Sequence, residues 1–564
     1  MDKTNQELRQ YDKNDNGIKL VITAQELKSK LAGSEPLMVF DIGSRERYEE
    51  QHIPGSACAV CNDDTKKSIL PRLPKNIELV IVSDDEEYPR QIAEMMRTMG
   101  LKARYLQGGI KSWQWDMKKS ESDRNISPRE LKEFLDTLEY RPARNARTDT
   151  TNSTPSSSSS SYPVLFLLDV RERDEFGQWN IEGSINIPLS ELLSNQNLHD
   201  SIPKDKKIIT ICPHGNRSTI AKYFLERYGY NVSSLEGGLK AWSSTLEDVY
   251  KEIDVSSTSN NDNNNGEILE LVQIRRIGKG CISYILGSMG EAAVIDPLYP
   301  VEYYIRKASE IGVRITTVFD THLHADHISA AEELAEITGA IWYQSHYEQD
   351  ELPASHEKKS AFPLVPKFSP LYDGDILKIG VSVLKVIHTP GHTNGSISIL
   401  VKGHEYNNDA TGSSASHHYF GKSLLLFTGD TLFVNGVGRP DLRDKAKEFA
   451  TILYETLHNR ILTIGDNYNN GSNNNIVILP GHFDKDARAG ELISNTLSKV
   501  IEDVGLLKLT REEFIDKMAS QVMPTPPNYR QIILINRGNF PILDSSLLHE
   551  IEMGPNRCSI SGVA

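Results

Sequence analysis

Thr321-His322-Leu323-His324-Ala325-Asp326-His327 puts three imidazoles and a carboxylate within six positions, between the strand-like end Val318-Phe319 and a helical pattern starting near Ser329. Imidazole nitrogen and carboxylate oxygen are ligands for divalent metals, so this density points to a metal centre. Alternate residues of an extended segment share a face, which lets His322 and His324 face one site while Asp326 and His327, at the turn, face a neighbouring one. The pattern admits one ion or two. Further ligands end other apolar runs: His392 in His388-Thr389-Pro390-Gly391-His392-Thr393, Asp430 in Phe427-Thr428-Gly429-Asp430-Thr431, and His482 in Leu479-Pro480-Gly481-His482-Phe483. Strand ends of this kind gather functional loops on a rigid scaffold. His388 lies outside the ligand pattern and reads as structural.

Upstream of this region the chain repeats itself. Asp41-Ile42-Gly43-Ser44-Arg45-Glu46-Arg47-Tyr48 aligns with Asp169-Val170-Arg171-Glu172-Arg173-Asp174-Glu175-Phe176, and Gly108-Gly109-Ile110-Lys111-Ser112-Trp113 aligns with Gly237-Gly238-Leu239-Lys240-Ala241-Trp242. Within each copy short β-rich runs (38–41 and 79–82; 165–169 and 207–212) alternate with helical patterns (91–99; 219–228), which predicts a parallel sheet with crossover helices. The motif set resembles the rhodanese sulfurtransferase fold over most of residues 17–120 and 124–250.

In the second copy a buried-looking strand, Ile208-Ile209-Thr210-Ile211, runs into Cys212-Pro213-His214-Gly215-Asn216-Arg217-Ser218 ahead of a helix near Thr219. Backbone N–H groups and a helix N-terminus at such a turn stabilise a thiolate, with Arg217 as its electrostatic partner. The Cys-x4-Arg spacing resembles rhodanese loops, where cysteine phosphatases carry one more residue; the resemblance implies that Cys212 accepts sulfane sulfur as a persulfide. The same count in the first copy puts Ser83 in the cysteine's place, followed by Asp84-Asp85-Glu86-Glu87. That copy reads as catalytically inactive.

At 564 residues the chain is long enough for several cores, and its net charge of −15 argues against nucleic acid as a partner. It opens with a polar stretch and holds no apolar run of the ~20 residues a membrane span needs, so a cytoplasmic protein off the membrane is expected. Five scattered cysteines suit a reducing compartment. Polar stretches at 141–162 and 256–266 read as linkers, and those at 407–418 and 466–475 as loop insertions. Cys281 reads as core, and Cys58-Ala59-Val60-Cys61 as ordinary cysteines at a strand rather than a redox motif. The expected layout is a 17–120 inactive rhodanese-like domain, a 124–250 rhodanese domain, a 266–510 metal-binding domain and a 511–564 extension. The expected fold class is α/β and α+β multidomain.

From about Glu267 the order of ligand motifs resembles the metallo-β-lactamase superfamily, which implies an αββα sandwich. Gly436-Val437-Gly438-Arg439-Pro440-Asp441-Leu442, Gly280-Cys281-Ile282-Ser283-Tyr284, Pro526-Pro527-Asn528-Tyr529 and Ile535-Asn536-Arg537-Gly538 narrow the resemblance to persulfide dioxygenases and their rhodanese fusions. That likeness implies a single Fe(II) on His322, His392 and Asp430, with His324, Asp326, His327 and His482 around it. It further implies O2-dependent oxidation of a low-molecular-weight persulfide, such as glutathione persulfide, to sulfite and thiol. The same ligands also suit a dinuclear hydrolase of the glyoxalase II type with two Zn(II) per chain, in which the surrounding four become second-metal candidates. A scaffolding protein with an inert metal domain is disfavoured because every ligand position is filled. The direction of sulfur flow, the thiol and any homo-oligomer stay open.

Overall fold

Short, largely buried strands build both copies of the repeat. In the first, β1 (Val21–Ile22), β2 (Leu37–Asp41), β3 (Ser56–Cys58), β4 (Glu78–Val82) and β5 (Lys102–Leu106) form a parallel sheet of order β1-β5-β4-β2-β3. In the second, β6 (Leu165–Asp169), β7 (Ile185–Asn186), β8 (Lys207–Ile211) and β9 (Val232–Ser234) form a parallel sheet of order β7-β6-β8-β9. The crossover helices Glu87–Thr98 and Asn216–Arg227 fall where the sequence places them. This computed structural model describes residues 19–33, 37–59, 70–119, 125–136, 165–194, 201–254, 268–350, 367–402, 424–440, 445–468, 473, 475–483, 490–521, 528–538, 548, 551–552 and 559–561. The expected linkers at 141–162 and 256–266, the insertion at 407–418, most of 469–474, and Cys61, Cys558, Asp441, Leu442, Pro526 and Pro527 lie outside them.

The chain divides into two compact units, 1–242 and 243–564. Both copies of the repeat belong to the first and share one apolar core, with Met38, Phe40, Leu79 and Ile81 from one copy and Leu168, Ile208, Ile220 and Phe224 from the other. At the end of helix Asn216–Arg227, Arg227 donates to the Leu37 carbonyl at 2.8 Å and the Gly33 carbonyl at 3.2 Å. The first copy thus packs against the helix that begins at the Cys212 loop.

The second unit is a sandwich. Strands β10 (Leu246–Asp254), β11 (Ile268–Arg276), β12 (Ile282–Ser288), β13 (Glu291–Ile295), β14 (Arg314–Asp320), β15 (Ile341–Ser345) and β16 (Ser369–Leu371) form one sheet in sequence order. The other contains β17 (Ile376–Ile379), β18 (Ser382–His388), β19 (Ile397–Lys402), β20 (Leu424–Gly429), β22 (Ile476–Pro480) and β23 (Asn495–Thr496), while β21 (Gly436–Gly438) pairs with β24 (Ser559–Ser561). Leu271, Ile282, Tyr284 and Phe319 of the first sheet meet Leu384, Ile399, Leu425 and Phe427 of the second in the central core. Helices Val301–Glu310, Ala331–Thr338 and Tyr529–Asn536 cover one outer face, and Ala446–Thr456, Leu497–Asp503 and Arg511–Ser520 cover the other.

Two expected divisions come out differently. Strand β10 pairs along its full length with β11, so this sheet starts at Leu246 and not at 266. The segment after 510 is no appendage, because Phe514 and Met518 sit in one outer core and Ile532, Leu548 and Ile551 in the other. Residues 466–468, expected as loop, finish the helix Ile464–Tyr468.

Candidate metal centre and sulfur loop

Cys212 directly follows β8 and is 1% exposed. Its Sγ receives the Gly215 N–H at 3.1 Å and lies 3.3 Å from Ser218 Oγ, so an amide and a hydroxyl face the sulfur at the start of helix Asn216–Arg227. Arg217 is bound bidentately by Glu175, at 2.8 and 2.7 Å. Burial opposes the Arg217 charge, yet Glu175 raises its affinity for the proton, and the Cys212 sulfur adds to that effect. Arg217 therefore acts on the loop from a fixed position. Sequence reasoning missed Glu175 and Ser218, although Glu175 stands within the repeated motif that located the domain.

Copy one reproduces the backbone of this loop with Ser83 where copy two has Cys212. Leu239 N–H donates to the Cys212 carbonyl at 2.9 Å, and Ile110 N–H donates to the Ser83 carbonyl at 2.8 Å. A Cβ on Gly238 would lie 2.3 Å from the Cys212 carbonyl oxygen, and one on Gly109 2.8 Å from that of Ser83. The second glycine of each pair is the price of this approach. Ser83 thus occupies the cysteine's position, its hydroxyl turned onto Asp85 at 3.2 Å.

At the opposite end of the chain, strands β14, β18, β20 and β22 deliver the ligand loops. His322, His392 and Asp430 offer ligand atoms within 4.8 Å of one another, all buried. His322 Nε2 lies 3.7 Å and His392 Nε2 3.5 Å from Asp430 Oδ2. His392 Nδ1 donates to the Arg439 carbonyl at 2.9 Å, which leaves the Nε2 lone pair for the site. His322 Nδ1 meets Thr321 Oγ1 at 2.9 Å, and that hydroxyl donates to Asp296 Oδ2 at 2.8 Å. Burial holds His322 well below, and His392 below, the ordinary imidazole value, so both rings are neutral. Burial resists ionisation of Asp430, but His482 and His322 hold it well below the carboxylate range.

A metal fits here. His322 Nε2 and Asp430 Oδ2 are buried and have no hydrogen-bond partner in the protein. Two acceptors facing each other in a dry interior are costly unless a cation lies between them.

The remaining motif residues divide into two groups. His324 gathers with Asp296 and His322, its Nε2 3.2 Å from Asp296 Oδ1. Asp326, His327 and His482 gather with Cys281, a residue expected only to fill core. His482 spans two carboxylates, with Nδ1 at 2.6 Å from Asp430 and Nε2 at 3.0 Å from Asp326. Although burial disfavours its charge, those carboxylates raise His482 well above its ordinary value. His388 stays outside, bonded to the Asn394 carbonyl at 2.7 Å and stacked on Tyr347.

Four residues around the loops were not singled out for this site by sequence. Asp296 directly follows β13 as a carboxylate after an apolar run, a signal available but unread. Glu348 Oε1 accepts from Leu323 N–H at 3.0 Å and from the Thr393 hydroxyl, joining two ligand loops. Asn536 donates to the carbonyls of His324 and His327, each at 2.9 Å, and accepts from Ser329 N–H at 2.9 Å. Glu552 accepts from Ile328 N–H at 2.5 Å and from Arg276 at 2.8 Å.

The rhodanese-like domain family matches residues 23–116 and 157–245, and the metallo-beta-lactamase superfamily matches residues 277–406. The hydroxyacylglutathione hydrolase GloC of Haemophilus influenzae is 26% identical over 221 residues, covering 38% of this chain and 90% of that protein. The mitochondrial persulfide dioxygenase ETHE1 of Bos taurus is 27% identical over 255 residues, covering 44% of this chain and 80% of that protein. Among solved structures, ETHE1 from Myxococcus xanthus is 25% identical and covers 48% of this chain and 98% of that chain, with a TM-score of 0.36. The chain carries two rhodanese-like domains followed by a metallo-beta-lactamase domain, an enzyme architecture whose last domain implies metal binding. Among the described residues no helix is long and apolar enough to cross a membrane.

Proposed function

We propose that this fusion of rhodanese-like and metallo-beta-lactamase domains oxidises a low-molecular-weight persulfide with O2, using one Fe(II) held by His322, His392 and Asp430. One persulfide, one O2 and one water yield a thiol and sulfite. Iron would supply the redox chemistry with O2, which zinc lacks.

The residues of the chain prepare that site. Arg439 and Thr321 fix the tautomers of His392 and His322, Asp430 supplies the one anionic ligand, and Glu348 ties the loops of His322 and His392 together. Two neutral nitrogens and one carboxylate leave coordination positions for substrate and oxygen.

Similarity alone does not choose the reaction, since the hydrolase and the dioxygenase match at nearly equal identity. The observation that carries the proposal is the Cys212 loop in the same chain, with an amide and a hydroxyl on its sulfur. The Cys212 thiolate would attack the outer sulfur of a persulfide, take that sulfur as its own persulfide and release the parent thiolate. Both sites then handle one functional group. The hydrolase reading is favoured by a different observation, the second cluster of possible ligands around Asp326.

Separate variants test the assignment. Asp430→Ala should abolish persulfide-dependent O2 uptake, and Cys212→Ser should abolish sulfur transfer while largely sparing that uptake. Uptake lost in Cys212→Ser and retained in Asp430→Ala would reverse the roles.

A further inference from the structure

His388 ends strand β18 shortly before His392, and separate elements meet its backbone, its ring edge and its ring face. Its N–H donates to Asp373 Oδ1 at 2.8 Å, and its carbonyl accepts from Arg460 Nη1 at 3.1 Å. Arg460 also binds Asp373 Oδ2 at 2.9 Å, so one ion pair brackets the end of the strand. The ring is stacked on Tyr347 with centroids 4.1 Å apart, and its Nε2 lies 2.7 Å from the Asn394 carbonyl oxygen. A carbonyl only accepts, so Nε2 carries the proton. Burial holds the ring below the ordinary imidazole value and therefore neutral at pH 7, which leaves a single tautomer.

That bond joins the two ends of segment 388–394, in which His392 sits. Inside the segment, Thr389 N–H donates to the Ser396 carbonyl at 2.7 Å, Gly391 N–H to the Thr393 carbonyl at 3.0 Å and Thr393 N–H to Ser396 Oγ at 3.1 Å. The Thr456 hydroxyl donates to the Pro390 carbonyl at 2.6 Å, and a Cβ on Gly391 would lie 2.6 Å from Leu453 Cα, so the loop rests closely on helix Ala446–Thr456. The bond from His392 Nδ1 to the Arg439 carbonyl fixes the rotation of that ring, but the place of its backbone depends on how the loop is closed. Tying the ends of a short loop removes the conformations in which they separate. Tyr347 extends the tie to another ligand loop. The next residue, Glu348, accepts from Leu323 N–H and from the Thr393 hydroxyl, and a Cβ on Gly395 would lie 2.2 Å from Glu348 Cγ.

We propose that His388 is a positioning residue for His392: its imidazole clasps the ends of loop 388–394 and, through Tyr347, locks that loop to the segment that braces the loop of His322. The ring takes no part in coordination and acts through the backbone that carries the ligand. This inference rests on His392 belonging to the triad, and not on which reaction the triad supports. The hydrogen bond and the stack can be separated by substitution. Phenylalanine keeps the ring and removes the donor, whereas glutamine removes the ring and keeps an N–H at the same number of bonds from Cα.

Hydrogen–deuterium exchange of the metal-free full-length chain reads the clasp without metal or substrate. His388→Phe should speed exchange of the Thr389, Gly391 and Thr393 amides about ten-fold, the equivalent of one hydrogen bond, while β19 and β20 keep wild-type protection. His388→Gln should restore slow exchange. Iron affinity, measured by chelator competition, should follow the same order, about ten-fold weaker in His388→Phe and close to wild type in His388→Gln. Wild-type amides in this loop that exchange as fast as an unstructured chain overturn the proposal without relying on any variant. So does a His388→Phe chain with wild-type exchange, or a His388→Gln chain that behaves as His388→Phe does. His392→Ala keeps the two readings apart. Iron lost in that variant but held at wild-type strength in His388→Phe refutes the clasp alone, whereas iron retained in His392→Ala refutes the triad assignment beneath it.

Discussion

Asn536 makes three hydrogen bonds to the backbone of the metal loop, two as donor and one as acceptor, and no other side chain of its size offers that combination. Asn536→Ala should weaken metal binding roughly 10–100-fold, as losses of ligand-orienting contacts do; chelator competition measures it, and unchanged affinity would contradict the role. Glu175→Gln should slow sulfur transfer roughly ten-fold, the equivalent of one charge-assisted hydrogen bond, by loosening Arg217. His482 gives a pH signature in the metal-free chain. Its folded pKa is raised by Asp430 and Asp326, so its stabilising contribution is complete below about pH 6.5 and is lost as pH rises through the folded value. Urea midpoints of the metal-free chain should therefore fall on that rise, and His482→Ala should remove the slope. Residues in contiguous motifs, such as those at 322–327, were legible in the sequence because one strand and its turn present them together. Cys281 was not: its neighbours Asp326 and His482 lie far along the chain, and its own surroundings look like any apolar strand.

Elements were easiest to read where hydrophobic period and turn residues agreed. The rhodanese strands and helices stand out for that reason, and the duplication located Ser83 opposite Cys212 without coordinates. The expected bounds at 250 and 266 cut across β10, because residues 246–254 are separated by a polar stretch from β11, their partner in the sheet. Pairing across such a gap has no local signal. The segment after 510 was likewise read as an extension, since nothing in its sequence marks which distant core its helices join. Within it, Glu552 pairs with Arg276, whose side chain is 1% exposed. Glu552→Ala leaves that guanidinium buried without its carboxylate, and should cost about 3–5 kcal/mol in denaturant unfolding. A loss within a few tenths of a kcal/mol would mean that the segment is peripheral after all.

At the scale of the molecule, the Cys212 loop and the proposed iron triad each stand on strand-end loops of their own unit. The first copy contributes core to the helix that starts at the Cys212 loop. The motif at 322–327, which disclosed the metal domain, supplies one residue to the proposed iron triad, and its other polar residues form neighbouring clusters. Iron-loaded protein assayed for metal content and persulfide-dependent O2 uptake tests the central claim most directly. The account predicts about one iron per chain, with sulfite formed and one O2 consumed for each persulfide. Zinc at both positions, thioester hydrolysis and no O2 uptake after iron loading would contradict it.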